Sequence, residues 1–228
     1  NAPWLRFARV SFNSYPIKYP NLDVDFWIQE SPIDSLSRDT RHLMRGVGID
    51  TLLGKGSFTS KVEGEKVSSQ FKLDIKDIGK LDLSSKINIL DHSIIMSDLR
   101  SDVIASFALG QPEALPIIYG NAIELHSLEM KYEESGLIAH LFPKSAILRD
   151  SRASQLNGLK YASQALRFAP ADSKEANNIA EILLAFLMQP EKLNLVMQPA
   201  SALTLKELTL MTNEGTLYKD SKMTLSTD

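Results

Sequence analysis

The chain has no cysteine in its 228 residues. Disulfides, thiol nucleophiles and Cys-ligated zinc are therefore excluded. No apolar run reaches the roughly 18–20 residues that a membrane-spanning helix needs. Basic residues are scattered: Lys and Arg number 25 against 28 acidic side chains, a net charge of −3. Without a basic run or an Arg-rich helix, duplex nucleic acid is a poor match as partner. The glycines form neither G-x-G-x-x-G nor a P-loop. The nearest stretch, GVGIDTLLGKG (46–56), follows Gly-Lys with Gly56 where Ser or Thr is required. There is no G-x-S-x-G and so no hydrolase nucleophile elbow. Trp4, Trp27 and the six tyrosines are dispersed and make no stacking platform for single strands. No cofactor is expected.

What is present reads as a folded domain. Apolar residues make up 43% and charged ones 23%, ordinary for a globular chain long enough to bury a core. The sequence opens abruptly at Asn1-Ala2-Pro3-Trp4, read as a mature or truncated chain. A missing targeting segment is then no argument for the cytoplasm.

The strongest pattern is FKLDIKDIGKLDLSSKINI (71–89). Phe71, Leu73, Ile75, Leu81, Leu83, Ile87 and Ile89 are apolar and odd-numbered, and most positions between them are Lys, Asp, Ser or Asn. That alternation predicts antiparallel strands with one wet face. Asp77-Ile78-Gly79 marks a turn or bulge that keeps the odd residues on one side. The region 49–95 reads as a meander, with Gly54, Gly56 and Gly64-Glu65 as separators. Upstream, 4–12 and 23–30 read as strands linked through the Tyr-Pro pairs at 15–16 and 19–20, and 31–48 as helical, with Leu36, Leu43 and Met44 on one side.

Beyond residue 100, 101–110 reads as a short helix, 111–120 as a Pro-rich connector and 121–134 as a strand. Three helical stretches follow, 136–149, 152–168 and 173–189. The last carries Ile179, Ile182, Leu183, Phe186 and Leu187 at the spacing of an amphipathic helix. Asp172 and Glu175 resemble its capping box. Segments 192–199, 204–213 and 216–226 read as strands. A-x-x-L-x-x-L recurs in AIELHSLEM (122–130) and ALTLKELTL (202–210), best explained as two similar strands.

Candidate chemistry is sparse. His42, His92, His126 and His140 form no i, i+4 pair, although His126 and His140 flank a strand-to-helix turn. Asp98, Asp102, Glu133 and Glu134 have no nucleophile beside them. The Glu133–Glu134–Ser135 cluster reads as a helix cap. A hydrolase built on Glu133, Glu134 and His140 is the weakest of the readings kept open.

LEMKYEESGLIAHLF (128–142) and AEILLAFLMQPEKLNLVMQPASAL (180–203) resemble patterns of envelope-associated proteins of alphaproteobacteria. The matching residues are Tyr132, Gly136, Leu137, Phe186, Leu187, Pro190 and Leu193; the DIGKLDLSS stretch (77–85) is also similar. The resemblance implies an exported, periplasmic or envelope protein and no activity.

The sequence thus predicts one α+β domain spanning 1–228, with a candidate internal boundary near 111–120. An antiparallel sheet is packed on one face by about three helices from the C-terminal half. The expected function is non-enzymatic: binding an apolar ligand such as a lipid, or an envelope protein. A structural or assembly module without a small ligand is the alternative. If a cavity exists, Phe71, Leu73, Ile75, Leu183 and Phe186 are expected to line it. No catalytic or metal residues are assigned.

Overall fold

A computed structural model describes residues 5–12, 21–35, 38–46, 48–108, 111 and 113–227. Trp4, both Tyr-Pro pairs, Leu36 and Pro112 lie outside the described residues.

In chain order the elements are β1 (Leu5–Phe12), β2 (Leu22–Pro32), a 3-10 turn (Ile33–Ser35), α1 (Arg38–Gly46), β3 (Thr51–Glu63), β4 (Lys66–Ile75) and β5 (Gly79–Ile89). Then come α2 (Met96–Ala108), α3 (Ala114–Tyr119), β6 (Ile123–Glu134), α4 (Leu137–Leu141), α5 (Lys144–Ile147), α6 (Arg152–Ala165) and α7 (Lys174–Met188). The chain finishes with β7 (Lys192–Met197), β8 (Leu203–Thr204), α8 (Leu205–Glu214), α9 (Leu217–Asp220) and β9 (Met223–Ser226). The strands form one antiparallel sheet in the order β1-β2-β3-β4-β5-β6-β7-β9, and the two-residue β8 pairs with β6. The fold is α+β.

The alternating stretch 71–89 is a hairpin. β4 and β5 pair from Lys66↔Asn88 to Ile75↔Gly79. Asp77 (φ 61°) and Gly79 (φ 153°) turn the chain without moving the odd residues off their face. The β3–β4 hairpin closes at Glu63↔Lys66 through Gly64, whose φ of 64° favours glycine.

Helices cover the apolar face in two places. Met96 and Leu99 of α2, with Tyr119 of α3, bury Val67, Ile89 and Ile123. Ala176 and Ile179 of α7, with Tyr218 of α9, bury Leu125, Met197 and Met223. α6 packs on α7, and Leu166, the C-cap of α6, is 62% exposed. The 136–149 stretch is two short helices, because Pro143 has no N–H to continue the first and sits as N-cap of the second.

Several expectations need correction. Residues 111–120 are not a connector: they hold α3, with Pro116 in its first turn, where backbone N–H groups have no intrahelical partner anyway. Residues 204–213 are not a strand but α8. Thr204 and Glu207 form a true capping box, and the Thr209 and Thr212 hydroxyls donate back to Leu205 O and Leu208 O. The sequence echo therefore joins a strand to a helix. The cap of α7 is Ser173, one residue after Asp172; its Oγ accepts from Ala176 N. Gly54 and Gly56 are not separators but lie inside β3.

Candidate functional site

Strand register places the candidate residues. On the apolar face, one cross-strand row contains Val24, Phe58, Phe71, Leu83, Met130 and Leu195. The next contains Phe26, Gly56, Leu73, Leu81, Tyr132 and Leu193. Two glycines make room for rings that lie flat on the sheet. A Cβ on Gly56 would come 2.4 Å from Phe26 Cζ. A Cβ on Gly79 would come 2.6 Å from Tyr132 Cε2. The Phe26 ring, seated over Gly56, stacks on Phe71 with centroids 6.1 Å apart and planes at 24°. Glycine inside a strand is the signal for such close approach, and reading it as punctuation hid the aromatic pair.

The five expected lining residues share one side of the sheet but do not converge. Leu183 packs with the cluster around Ile179 and Met197. Phe186 is 4% exposed and meets Tyr132 edge-on, centroids 6.3 Å apart and planes at 72°. Phe71, Leu73 and Ile75 are half-buried and belong to neither buried cluster. β4 lies two strands from β6, about 10 Å at the usual spacing, so α7 covers the C-terminal strands and not these three residues.

The acidic cluster is divided by the sheet. Glu134 is on the apolar side: Oε1 accepts from Gly136 N at 2.6 Å and Ile138 N at 2.8 Å, capping α4. The Tyr132 hydroxyl lies 2.5 Å from Glu134 Oε2 and 2.9 Å from Ile78 O, and its one proton serves one acceptor at a time. Burial, then the Glu134 carboxylate, push the Tyr132 phenol well above its ordinary range. Glu133 faces the other way and pairs with Lys192 at 3.3 Å and Lys80 at 3.8 Å. Ser135 is exposed. The cap expected of three residues is thus made by Glu134. Adjacent strand residues point to opposite faces, so Glu133 and Glu134 do not address one substrate. The side chain of His140 lies outside the described residues. His126 is the extra residue of the β5–β6 bulge, exposed, with Nε2 3.0 Å from Glu124. Among the described residues no three His, Cys, Asp or Glu side chains gather as a metal site.

On the wet face, a depression of about 650 Å³ crosses β2 to β6, lined by Trp27, Lys55, Lys72, Asp74, Asp82 and Glu133 among others. Its charges pair with each other along the ladder, as in Lys72–Asp82 at 3.8 Å, the arrangement of a solvated sheet face.

The fold and these rows define an α+β protein whose one-sided sheet carries an apolar strip beyond its helix-covered core. The chain belongs to a family described as "Uncharacterized protein", whose model matches residues 72–228. Leu73, Ile75, Leu183 and Phe186 fall within the match. No curated protein matches the chain.

Proposed function

We propose that this chain is a non-enzymatic, exported protein of the bacterial cell envelope that binds an apolar ligand, an acyl chain, along the sheet face of β2 to β5. The observation that carries the reading is the strip of Phe26, Phe58, Phe71, Leu73 and Leu83. These side chains are only half-buried, and none belongs to a buried cluster. Contiguous rows of large apolar side chains that no buried cluster claims are a surface that an apolar ligand would cover. The separation of Glu133 from Glu134 supports a role without hydrolysis. The envelope location rests on the resemblance to alphaproteobacterial envelope proteins.

A second reading is favoured by a different surface. Ile117 is 83% exposed, Ile118 59% and Leu90 43%, and they surround a shallow depression beside α3. That patch fits docking of an envelope protein, in which case the chain is an assembly module. Native mass spectrometry of protein purified from its own envelope separates the two. A bound lipid-sized mass supports the first reading, a bound protein the second, and a bare chain that also takes up no added lipid refutes the first.

A further inference from the structure

Between the helix-covered rows and the half-buried apolar strip lies a row of a different kind: Ser60, Ser69 and Ser85 are cross-strand neighbours on β3, β4 and β5. Arg100 of α2 reaches down to it, and Nη2 donates to Ser60 Oγ at 2.9 Å. Ser69 Oγ lies 3.3 Å from Ser60 Oγ. Ser60 is 1% exposed. Arg100 Nε is buried with no hydrogen-bond partner, and no carboxylate pairs with the guanidinium among the described residues.

This arrangement is costly on its own terms. A guanidinium stays charged at neutral pH. Arg100 is half-buried, and covering its Nε without an anion loses hydration that a single serine hydroxyl does not replace. Burial also pushes the Arg100 guanidinium below its ordinary range, and no opposite charge offsets the shift. The cluster holds a cation and no anion: Ser60 Oγ accepts from Arg100 and from Ser69, and neutral hydroxyls leave the guanidinium charge uncompensated. An anionic group with several acceptor oxygens is the chemistry that would compensate it.

Its position is as informative as its chemistry. Two residues along each strand from Ser60, Ser69 and Ser85 stand Phe58, Phe71 and Leu83. Period-two alternation puts both rows on one face. We propose that Arg100, with Ser60 and Ser69, is the headgroup end of the apolar strip: it binds the phosphate or carboxylate of an anionic amphiphile whose chain lies over Phe58, Phe71 and Leu83. This rests on the reading of the strip as an acyl-binding face and adds the charge and polarity of the ligand to it.

The test uses the full chain and three probes below their micellar concentrations: dodecyl phosphate, dodecanol and inorganic phosphate, each titrated by calorimetry. Dodecyl phosphate should bind about tenfold or more tightly than dodecanol, the gain typical of a charge-assisted hydrogen bond. Arg100→Met should abolish that preference and leave dodecanol binding unchanged. Its melting temperature should stay close to that of the parent chain, since the charge removed is half-buried and unpaired; Arg100→Gln serves if the Met variant does not fold. A preference that survives in the variant overturns the proposal while leaving the apolar face intact as a binding surface. Inorganic phosphate that binds as tightly as dodecyl phosphate in an Arg100-dependent way overturns the amphiphile and makes this a free-anion site. Failure of both dodecyl compounds to bind the parent chain removes the acyl-binding reading, and this one with it.

Discussion

Phe186→Ala removes one of the side chains by which α7 packs on the sheet. Phe186 is 4% exposed and rests edge-on against Tyr132. A buried phenyl side chain takes roughly 150 Å² out of water, close to 4 kcal/mol at ~25 cal/mol per Å². The edge-on aromatic contact contributes about 1 kcal/mol more. The expected loss is therefore about 4–5 kcal/mol, at the upper end for Phe→Ala in a core. That is a large part of the roughly 5–15 kcal/mol that holds a typical domain together. The melting midpoint should fall by roughly 10–15 °C for a chain of this size. Urea unfolding of the parent, of Phe186→Ala, of Tyr132→Leu and of the double variant would measure both terms. The two single losses should exceed the double loss by about 1 kcal/mol. A Phe186→Ala loss under about 1.5 kcal/mol, or strict additivity with Tyr132→Leu, would show that α7 is not held to β6 by this contact.

Phe71→Ala should cost distinctly less, about 2 kcal/mol, because the ring is half-buried and, among the described residues, its aromatic contact is with Phe26; its main effect should be weaker binding of dodecanol, and equal stability losses at 71 and 186 would contradict the placement of the strip outside the core. Glu134→Ala should cost about 1–2 kcal/mol by uncapping α4, whereas Ser135→Ala should be neutral within about 0.5 kcal/mol; thermal melts of the pair decide which residue is the cap. Alkaline pH should weaken the α2–α3 contact: the hydrogen bond to Asp102, then burial, push the Tyr119 phenol up to about 12. A raised folded-state value gives stability that is complete below the ordinary tyrosine range and is lost as pH climbs from about 10 to 12; urea melts across that window should show the loss in the parent chain and a smaller one in Tyr119→Phe. Limited proteolysis should not release two independently folded halves near 112–116, because α3 carries Tyr119 into the same buried cluster as Val67 of β4 and Ile123 of β6; two stable fragments would refute the expectation of one domain.

The β4–β5 hairpin and its sidedness were legible in the residue pattern alone. Alternation in Phe71–Ile89 has one physical solution when charges fill the even positions, since a one-residue slip would bury Lys72, Asp74 and Lys76. The period of Ile179, Leu183 and Phe186 likewise fixed α7 as an amphipathic helix with a buried stripe. Local signals were sufficient there because each side chain needed only to know its own face. They were insufficient where a third residue decided the outcome. Leu-Thr alternation in 202–210 suits a strand as well as a helix, and the Thr204–Glu207 cap with the back-bonded threonines tipped it to α8. Gly56 reads as a turn until Phe26 is seen lying over it. Glu133 and Glu134 look like a pair in sequence, and the strand pleat separates them. Arg100 carried no sequence signal at all: it is one arginine in a helix, and only the packing of α2 over β3 and β4 brings it, unpaired, to a row of serines. Tertiary structure decided that meeting because the cost of an uncompensated charge arises only when two elements close over it, and no local pattern in the chain records which elements will do so.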